Sequence, residues 1–133
     1  MNILPPRQVL LVEDDPQTTQ VMARLMRARG FPVRVACSLA EARRCAAQGN
    51  IGFLISDVGL SDGSGCELMA ELRDSLGLQG VAISGYGMEA DVTRSREAGF
   101  VLHLTKPIQI SDLDRVLELA RRELAKEADG SPD

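Results

Sequence analysis

Aromatic residues and histidine are scarce in this sequence. Aromatic side chains make up 3% of the chain, with no tryptophan and a single tyrosine, so platforms for stacking single-stranded nucleic acid are missing. The formal net charge of -4 also argues against the phosphate backbone of DNA or RNA as a direct partner. The single histidine, His103, and the lack of paired cysteine spacing argue against a zinc centre.

Long apolar runs and a disulfide pattern are also lacking. No stretch approaches the roughly 20 apolar residues that a membrane-spanning helix needs. The N-terminus lacks the charged and then apolar segments of a secretory signal. The three cysteines are an odd number and fit small buried thiols in a reducing compartment. We therefore expect a cytoplasmic protein without a membrane partner.

The remaining composition is that of an ordinary globular domain. Apolar residues make up 44% of the 133 residues, enough for one domain with a single core. Short apolar runs alternate five times with helix signals such as the Asp15-Pro16 start. Strands separated by helices predict right-handed βαβ units and a mainly parallel sheet. We expect this domain to cover residues 8–126, with flexible ends at residues 1–7 and 127–133.

Four of the predicted strands are followed by polar residues that can handle a phosphate. These strands and the residues after them are Val9–Val12 before Glu13-Asp14, Phe53–Ser56 before Asp57, Val81–Ile83 before Ser84, and Val101–Leu104 before Thr105-Lys106-Pro107. The carboxyl ends of parallel strands share one edge of the sheet, where ligands of open α/β sheets bind. We expect that edge to hold three carboxylates, one hydroxyl and one ammonium group within reach of each other.

These groups suit the transfer of a phosphoryl group to Asp57. A carboxylate nucleophile and a phosphate repel each other, so a divalent cation is needed to neutralise their charge. Glu13 and Asp14 are placed to hold it, and their hard oxygen ligands favour Mg²⁺. Lys106 supplies a point charge for one phosphoryl oxygen, and Ser84 offers a hydroxyl to another.

The whole arrangement resembles the receiver domain of two-component response regulators. The resemblance extends from about Gln8 to Ala125 and depends on the order and spacing of four motifs, which are Leu10–Pro16, Asp57 with Asp62–Gly65, Ser84–Gly87, and Lys106-Pro107. It implies a flavodoxin-like three-layer α/β sandwich, in which five parallel strands in the order 2-1-3-4-5 are flanked by five helices. The run Ala98–Pro107 is similar to receivers attached to hybrid sensor kinases, so a stand-alone regulator and an excised receiver both stay open.

The resemblance also implies roles for the acidic residues. Asp57 resembles the aspartate that takes a phosphoryl group from a histidine kinase or a histidine phosphotransfer protein. Glu13 and Asp14 resemble the acidic pair that binds Mg²⁺ together with this aspartate. The backbone carbonyl of Gly59 falls where the family supplies a further metal ligand.

A second set of residues resembles the switch of the family. Ser84 matches the hydroxyl residue that follows the phosphoryl group. His103 falls where the family places a switch aromatic, although a histidine on a strand can also serve plain packing. Phosphorylation is then expected to shift a population of states and to reshape the face of the fourth helix, fifth strand and fifth helix, which controls a partner or forms a homodimer. Lys106 matches the lysine of the family, and the Lys106–Pro107 bond is the candidate cis peptide.

Three functions remain open on the sequence alone. A phosphorylatable switch would catalyse only its own phosphorylation and dephosphorylation, so we do not expect a turnover enzyme. A phospho-independent docking module often lacks the acidic pair, the aspartate or the lysine, all of which are present here. A phosphatase with an aspartate nucleophile would need a general acid two residues after Asp57, where this chain has Gly59. Gly59 and Tyr86 also resemble positions that tune phosphoryl lifetime in the family.

Overall fold

Five parallel strands form the central sheet of the protein. A computed structural model describes residues 7–85 and 91–126 of the chain. In chain order the strands of the sheet are β1 (Gln8–Val12), β2 (Val33–Ala36), β3 (Ile51–Asp57), β4 (Gly80–Ser84) and β5 (Phe100–Thr105). Their order across the sheet is β2-β1-β3-β4-β5, which confirms the expected flavodoxin-like arrangement.

Within residues 7–85 and 91–126, five helices flank the sheet and bury both of its faces. They are α1 (Pro16–Ala28), α2 (Leu39–Ala47), α3 (Gly65–Leu76), α4 (Asp91–Ala98) and α5 (Ile110–Ala125). One apolar cluster packs α1 and α5 against one face, and a second packs α2 and α3 against the other. Side chains of β1 alternate between the two, with Val9 and Leu11 in the first cluster and Leu10 and Val12 in the second. Burial on both faces explains the continuous apolar runs.

The helix boundaries follow from local capping. Asp15 caps α1, because its Oδ2 accepts a hydrogen bond of 3.1 Å from the backbone N–H of Thr18, and Pro16 occupies the first helical position. The Ser38 hydroxyl caps α2 in the same way. Helix α3 ends at Gly77, whose φ of 70° lies in the left-handed region that glycine tolerates best. These helix boundaries agree with the capping residues and the glycine that mark helix ends in the sequence.

A short hairpin connects β3 to α3 and ties this segment to α2. Gly59–Leu60 pairs antiparallel with Gly63–Ser64. Between the two strands, Asp62 accepts hydrogen bonds of 2.9 and 3.1 Å from the backbone N–H groups of Leu39 and Ala40. These bonds lower the pKa of Asp62 and give α2 a second cap from a distant part of the chain. The segment that follows β3 is therefore anchored to a neighbouring helix.

Some of the sequence-based expectations concern residues that the structure does not describe. Of the predicted flexible ends, residues 1–6 and 127–133 lie outside, whereas Arg7 donates hydrogen bonds to two backbone carbonyl oxygens at the C-terminal end of α5. Residues 86–90 also lie outside, and with them Tyr86. Within the two described ranges, no helix combines the length and the apolar character needed to cross a bilayer.

Candidate functional site

The carboxyl ends of β1, β3 and β5 bring acidic and basic side chains together. Val12 of β1 pairs with Ser56 of β3, so Glu13 and Asp57 occupy adjacent positions at the edge of the sheet. Lys106 follows β5 and reaches back across this edge. Its Nζ lies 2.8 Å from Oε1 of Glu13 and 3.0 Å from Oδ2 of Asp57. The ammonium group therefore bridges two carboxylates, and these three of the predicted residues lie together.

Burial and opposite charge compete at this edge. Glu13 is 1% exposed and Asp57 is 7% exposed. Burial raises the pKa of Glu13, and this effect outweighs the opposing contacts with Lys106 and with the backbone N–H of Asp15. Burial acts to lower the pKa of Lys106, but its contacts with Glu13 and Asp57 outweigh it and raise that pKa above its usual value. The ammonium is therefore charged at neutral pH.

The acidic residues of the site fit a divalent cation. Glu13, Asp14 and Asp57 each offer one carboxylate oxygen, and these oxygens all lie within 4.8 Å of one another. Oε1 of Glu13 is buried, and the described residues give it no well-directed hydrogen bond, although Lys106 lies at ion-pair distance. The Lys106 ammonium offsets only part of the negative charge of these three carboxylates, and a hard cation with oxygen ligands would neutralise more of it. The donor set therefore fits Mg²⁺.

The backbone around Asp57 is held on both sides. The Val58 N–H donates to the Ile83 carbonyl at 2.8 Å, and the Gly65 N–H donates to the Val58 carbonyl at 2.8 Å. The Ser56 hydroxyl donates to the Asp57 carbonyl at 2.9 Å. A Cβ atom at Gly65 would lie 2.2 Å from the Asp57 carbonyl oxygen, so only glycine lets α3 begin this close to the site. Gly65 belongs to one of the sequence motifs, but the sequence does not predict this contact.

Ser84 and His103 are hydrogen-bonded to each other. Ser84 ends β4 with 1% of its surface exposed, and its Oγ lies 2.7 Å from Nε2 of His103. On the other side of the ring, Nδ1 of His103 lies 2.9 Å from Oγ of Ser95 in α4. Ser84 and His103 were both predicted as switch residues from the sequence, whereas Ser95 was not. The available signal was a serine eight residues before the histidine, on a helix that had to cover the same strand.

Other predicted residues occupy the rim of the site. The Lys106–Pro107 peptide bond is cis, at the position that the resemblance implied. Gly59 lies two residues beyond Asp57 in the hairpin and pairs with Ser64. The role of its carbonyl as a metal ligand stays a prediction. Asp15, which the sequence analysis took as a helix start, caps α1.

Comparison with known proteins decides the family. A family model described as the response regulator receiver domain matches residues 9–118, the stretch that contains every site residue described above. The chain belongs to this family. The receiver domain is similar to the acid tolerance regulatory protein ActR of Rhizobium meliloti (strain 1021), with 32% identity over 110 residues that cover 82% of this chain and 57% of ActR. It therefore spans little more than half the length of this relative.

Solved receiver structures share the fold. The receiver domain is similar to a putative response regulator from Chloroflexus aurantiacus J-10-fl, with 25% identity and a TM-score of 0.78 over 92% of this chain and 100% of that chain. It is also similar to a response regulator receiver domain protein from Clostridium thermocellum, with 22% identity and a TM-score of 0.79 over 90% of this chain and 99% of that chain. The sheet order and the five helices are thus those of a receiver.

Proposed function

We propose that this receiver domain is a phosphoacceptor switch of two-component signalling, in which Asp57 takes a phosphoryl group from a histidine kinase or a histidine phosphotransfer protein. The observation that carries the proposal is the nearly buried Asp57 carboxylate, 3.0 Å from the Lys106 ammonium and within an acidic cluster. A phospho-independent docking module needs neither the buried carboxylate nor its ammonium partner. Their presence favours the switch.

In the proposed reaction, an Asp57 oxygen attacks the phosphorus atom of a phosphohistidine. A new O–P bond forms, the P–N bond breaks, and its electron pair stays with the leaving imidazole. Lys106 is placed to exchange its ion pair with Asp57 for one with a phosphoryl oxygen. Glu13, Asp14, Asp57 and the Gly59 carbonyl would hold Mg²⁺, which when bound offsets the negative charge on Asp57 and the phosphoryl group. We propose that the chain catalyses only this transfer and the later hydrolysis of the acyl phosphate.

Ser84 connects this reaction to the face formed by α4, β5 and α5. Its hydroxyl bonds His103 at 2.7 Å, and a new bond to a phosphoryl oxygen would compete for the same hydrogen. A hydrogen bond of this kind contributes about 1 kcal/mol, enough to change a ratio of states roughly fivefold. His103 lies on β5 and is bonded to Ser95 of α4. The exchange would therefore act on both elements, and we propose that this face controls a downstream protein or a second copy of the chain.

An apolar groove beside the site suits the phosphoryl donor. The groove has a volume of about 560 Å³ and lies between α1 and the segment after β5, with Val21, Pro107 and Ile108 in its lining. Val21 is 58% exposed. Lys106 belongs to the same lining, so the groove opens beside the ammonium group that contacts Asp57. We propose that the donor protein docks here.

The docking proposal separates protein donors from small-molecule donors. Val21→Glu is expected to slow transfer from a phosphorylated histidine phosphotransfer protein of the same organism, because a charge enters the apolar contact. It should leave the reaction with acetyl phosphate unchanged, since that donor needs no protein surface. Leu76→Glu is the matched control at another exposed apolar side chain, on α3. Equal slowing with both donors, or with neither, would contradict docking at this groove.

The switch itself is tested by incubating the chain with Mg²⁺ and acetyl phosphate. We expect the intact mass to rise by one phosphoryl group, and Asp57→Asn to prevent the increase. Asp74→Asn, at an aspartate of α3 outside the site, should leave it unchanged. No uptake by the wild type would favour a docking module, and hydrolysis of a phosphate monoester such as p-nitrophenyl phosphate over many cycles would favour a phosphatase.

A further inference from the structure

We propose that Ser95 is a positioning residue that fixes which ring nitrogen of His103 carries the hydrogen and thereby directs the Ser84 hydroxyl away from Asp57. The proposal assigns to α4 a direct part in setting the resting state of the switch. Its consequence for signalling rests on the proposed function, whereas its statement about the imidazole ring does not.

Three hydrogen bonds form a chain from α4 to the edge of the sheet. The Ser95 Oγ lies 2.9 Å from the Val92 carbonyl oxygen and 2.9 Å from Nδ1 of His103. On the far side of the ring, Nε2 of His103 lies 2.7 Å from Oγ of Ser84. Both serines are 1% exposed, so water competes little for these groups. These three hydrogen bonds connect a helix on the surface of the domain to the end of the strand beside Asp57.

Counting hydrogens gives the direction of each bond. The Ser95 hydroxyl has one hydrogen, and the Val92 carbonyl can only accept, so Ser95 donates to it and must accept from Nδ1 of His103. A neutral imidazole carries one N–H, so Nε2 is left as an acceptor. The Ser84 hydroxyl then donates to Nε2. In this arrangement the only hydroxyl hydrogen of Ser84 is directed at His103.

A second arrangement of the same atoms has one hydrogen bond fewer. If Nε2 of His103 carries the hydrogen, it donates to Ser84, and Ser95 must turn its hydrogen from the Val92 carbonyl to Nδ1. The Ser84 hydrogen is then free to meet a phosphoryl oxygen on Asp57. The bond between Ser95 and Val92 is what favours the first arrangement over the second. Recruiting the Ser84 hydrogen to a phosphoryl oxygen therefore costs either this bond or the bond from Ser84 to Nε2 of His103.

The expected size of the effect follows from that one bond. Replacing Ser95 with alanine removes the preference for hydrogen on Nδ1 and lets the two tautomers exchange freely. A neutral hydrogen bond corresponds to a ratio on the order of three- to tenfold. We therefore expect Ser95→Ala to increase the ratio of the Nε2–H tautomer to the Nδ1–H tautomer by this factor. We also expect it to increase the ratio of phosphorylated to unphosphorylated protein with limiting acetyl phosphate by up to a similar factor.

The single histidine of the chain makes the test direct. Nitrogen NMR of imidazole-labelled protein, recorded at about pH 8, where an ordinary imidazole is neutral, reports the His103 tautomer without interference. The matched control is Ser75→Ala in α3, because the Ser75 hydroxyl also donates to a backbone carbonyl, that of Glu71 at 2.8 Å, but is exposed. We expect the wild type and Ser75→Ala to carry hydrogen mainly on Nδ1, and Ser95→Ala to lose this preference.

The outcomes separate the inference from the proposed function. A wild type with hydrogen mainly on Nε2, or a Ser95→Ala variant with the wild-type tautomer ratio, would overturn the inference even if Asp57 is phosphorylated normally. The wild-type spectrum decides this even if the variant does not fold. An altered tautomer with an unchanged phosphorylated fraction would refute the link to the switch. A wild type that takes no phosphoryl group would refute the proposed function, while the spectra would still decide the role of Ser95.

Discussion

Replacing Gly65 with alanine should displace the backbone that positions the Asp57 side chain. Gly65 is the first residue of α3, and an added Cβ would lie 2.2 Å from the Asp57 carbonyl oxygen and 2.7 Å from the Ser56 hydroxyl. An ordinary contact between such atoms is longer than 3.4 Å. The start of α3 or the backbone of Asp57 must therefore move by about 1 Å. Either movement changes the position of the phosphoacceptor.

The magnitude follows from two opposing effects. Overpacking in a well-packed region costs about 1–3 kcal/mol, whereas alanine gains up to about 1 kcal/mol over glycine within a helix. We expect a net loss of about 1–2 kcal/mol in the free energy of unfolding. Misplacement of a reacting group by about 1 Å can cost on the order of a hundredfold in rate. We therefore expect the phosphorylation rate of Asp57 to fall far more than the stability.

Urea unfolding and the rate of phosphorylation by acetyl phosphate measure the two effects separately. Gly77→Ala is the control, because Gly77 has a φ of 70° with nothing within 4 Å of an added Cβ. Alanine in that conformation costs about 1–2 kcal/mol but lies far along α3 from Asp57. We expect both variants to lose comparable stability and only Gly65→Ala to lose rate. A Gly65→Ala variant with wild-type stability and rate would refute the close approach.

Three further perturbations test the charges around the site. Lys106→Met is expected to slow phosphorylation by acetyl phosphate about a hundredfold with an unchanged circular dichroism spectrum, and a wild-type rate would rule out its role. Excess EDTA should stop phosphorylation and added Mg²⁺ should restore it, whereas uptake in EDTA would contradict the proposed metal requirement. Because the pKa of Asp62 is lowered in the folded state, its contribution to stability is complete above the ordinary pKa of 3.8 and is lost as the pH falls through the folded value. When the pH is lowered from about 5 to about 2, the free energy of unfolding of Asp62→Asn should thus fall less than that of the wild type. Unfolding curves at each pH measure this difference, and equal losses in the two proteins would contradict it.

The sequence predicts the fold and the main site residues because short local patterns indicate the strands, the helix ends and the polar residues at the strand ends. Each strand appears as an apolar run, and Glu13, Asp57, Ser84 and Lys106 directly follow or end such runs. Once the strands are parallel, their carboxyl ends must share an edge, so these side chains meet without any further information. Helix caps such as Asp15 act within a few residues and are equally visible in the sequence.

The features that the sequence analysis missed depend on contacts between distant segments. Asp62 caps a helix that begins more than 20 residues earlier in the chain, and its local sequence indicates only a turn. The need for glycine at position 65 arises from how closely α3 approaches β3. Ser95 meets His103 only because α4 packs beside β5. None of these contacts is indicated by hydrophobic periodicity or by a sequence motif.

Locating the phosphoryl group by chemistry tests the central claim most directly. After incubation with Mg²⁺ and acetyl phosphate, borohydride reduces an aspartyl phosphate to homoserine, and peptide mass spectrometry identifies the changed residue. We predict the conversion at Asp57 alone. Conversion at another carboxylate such as Asp14, or at none, would contradict the account.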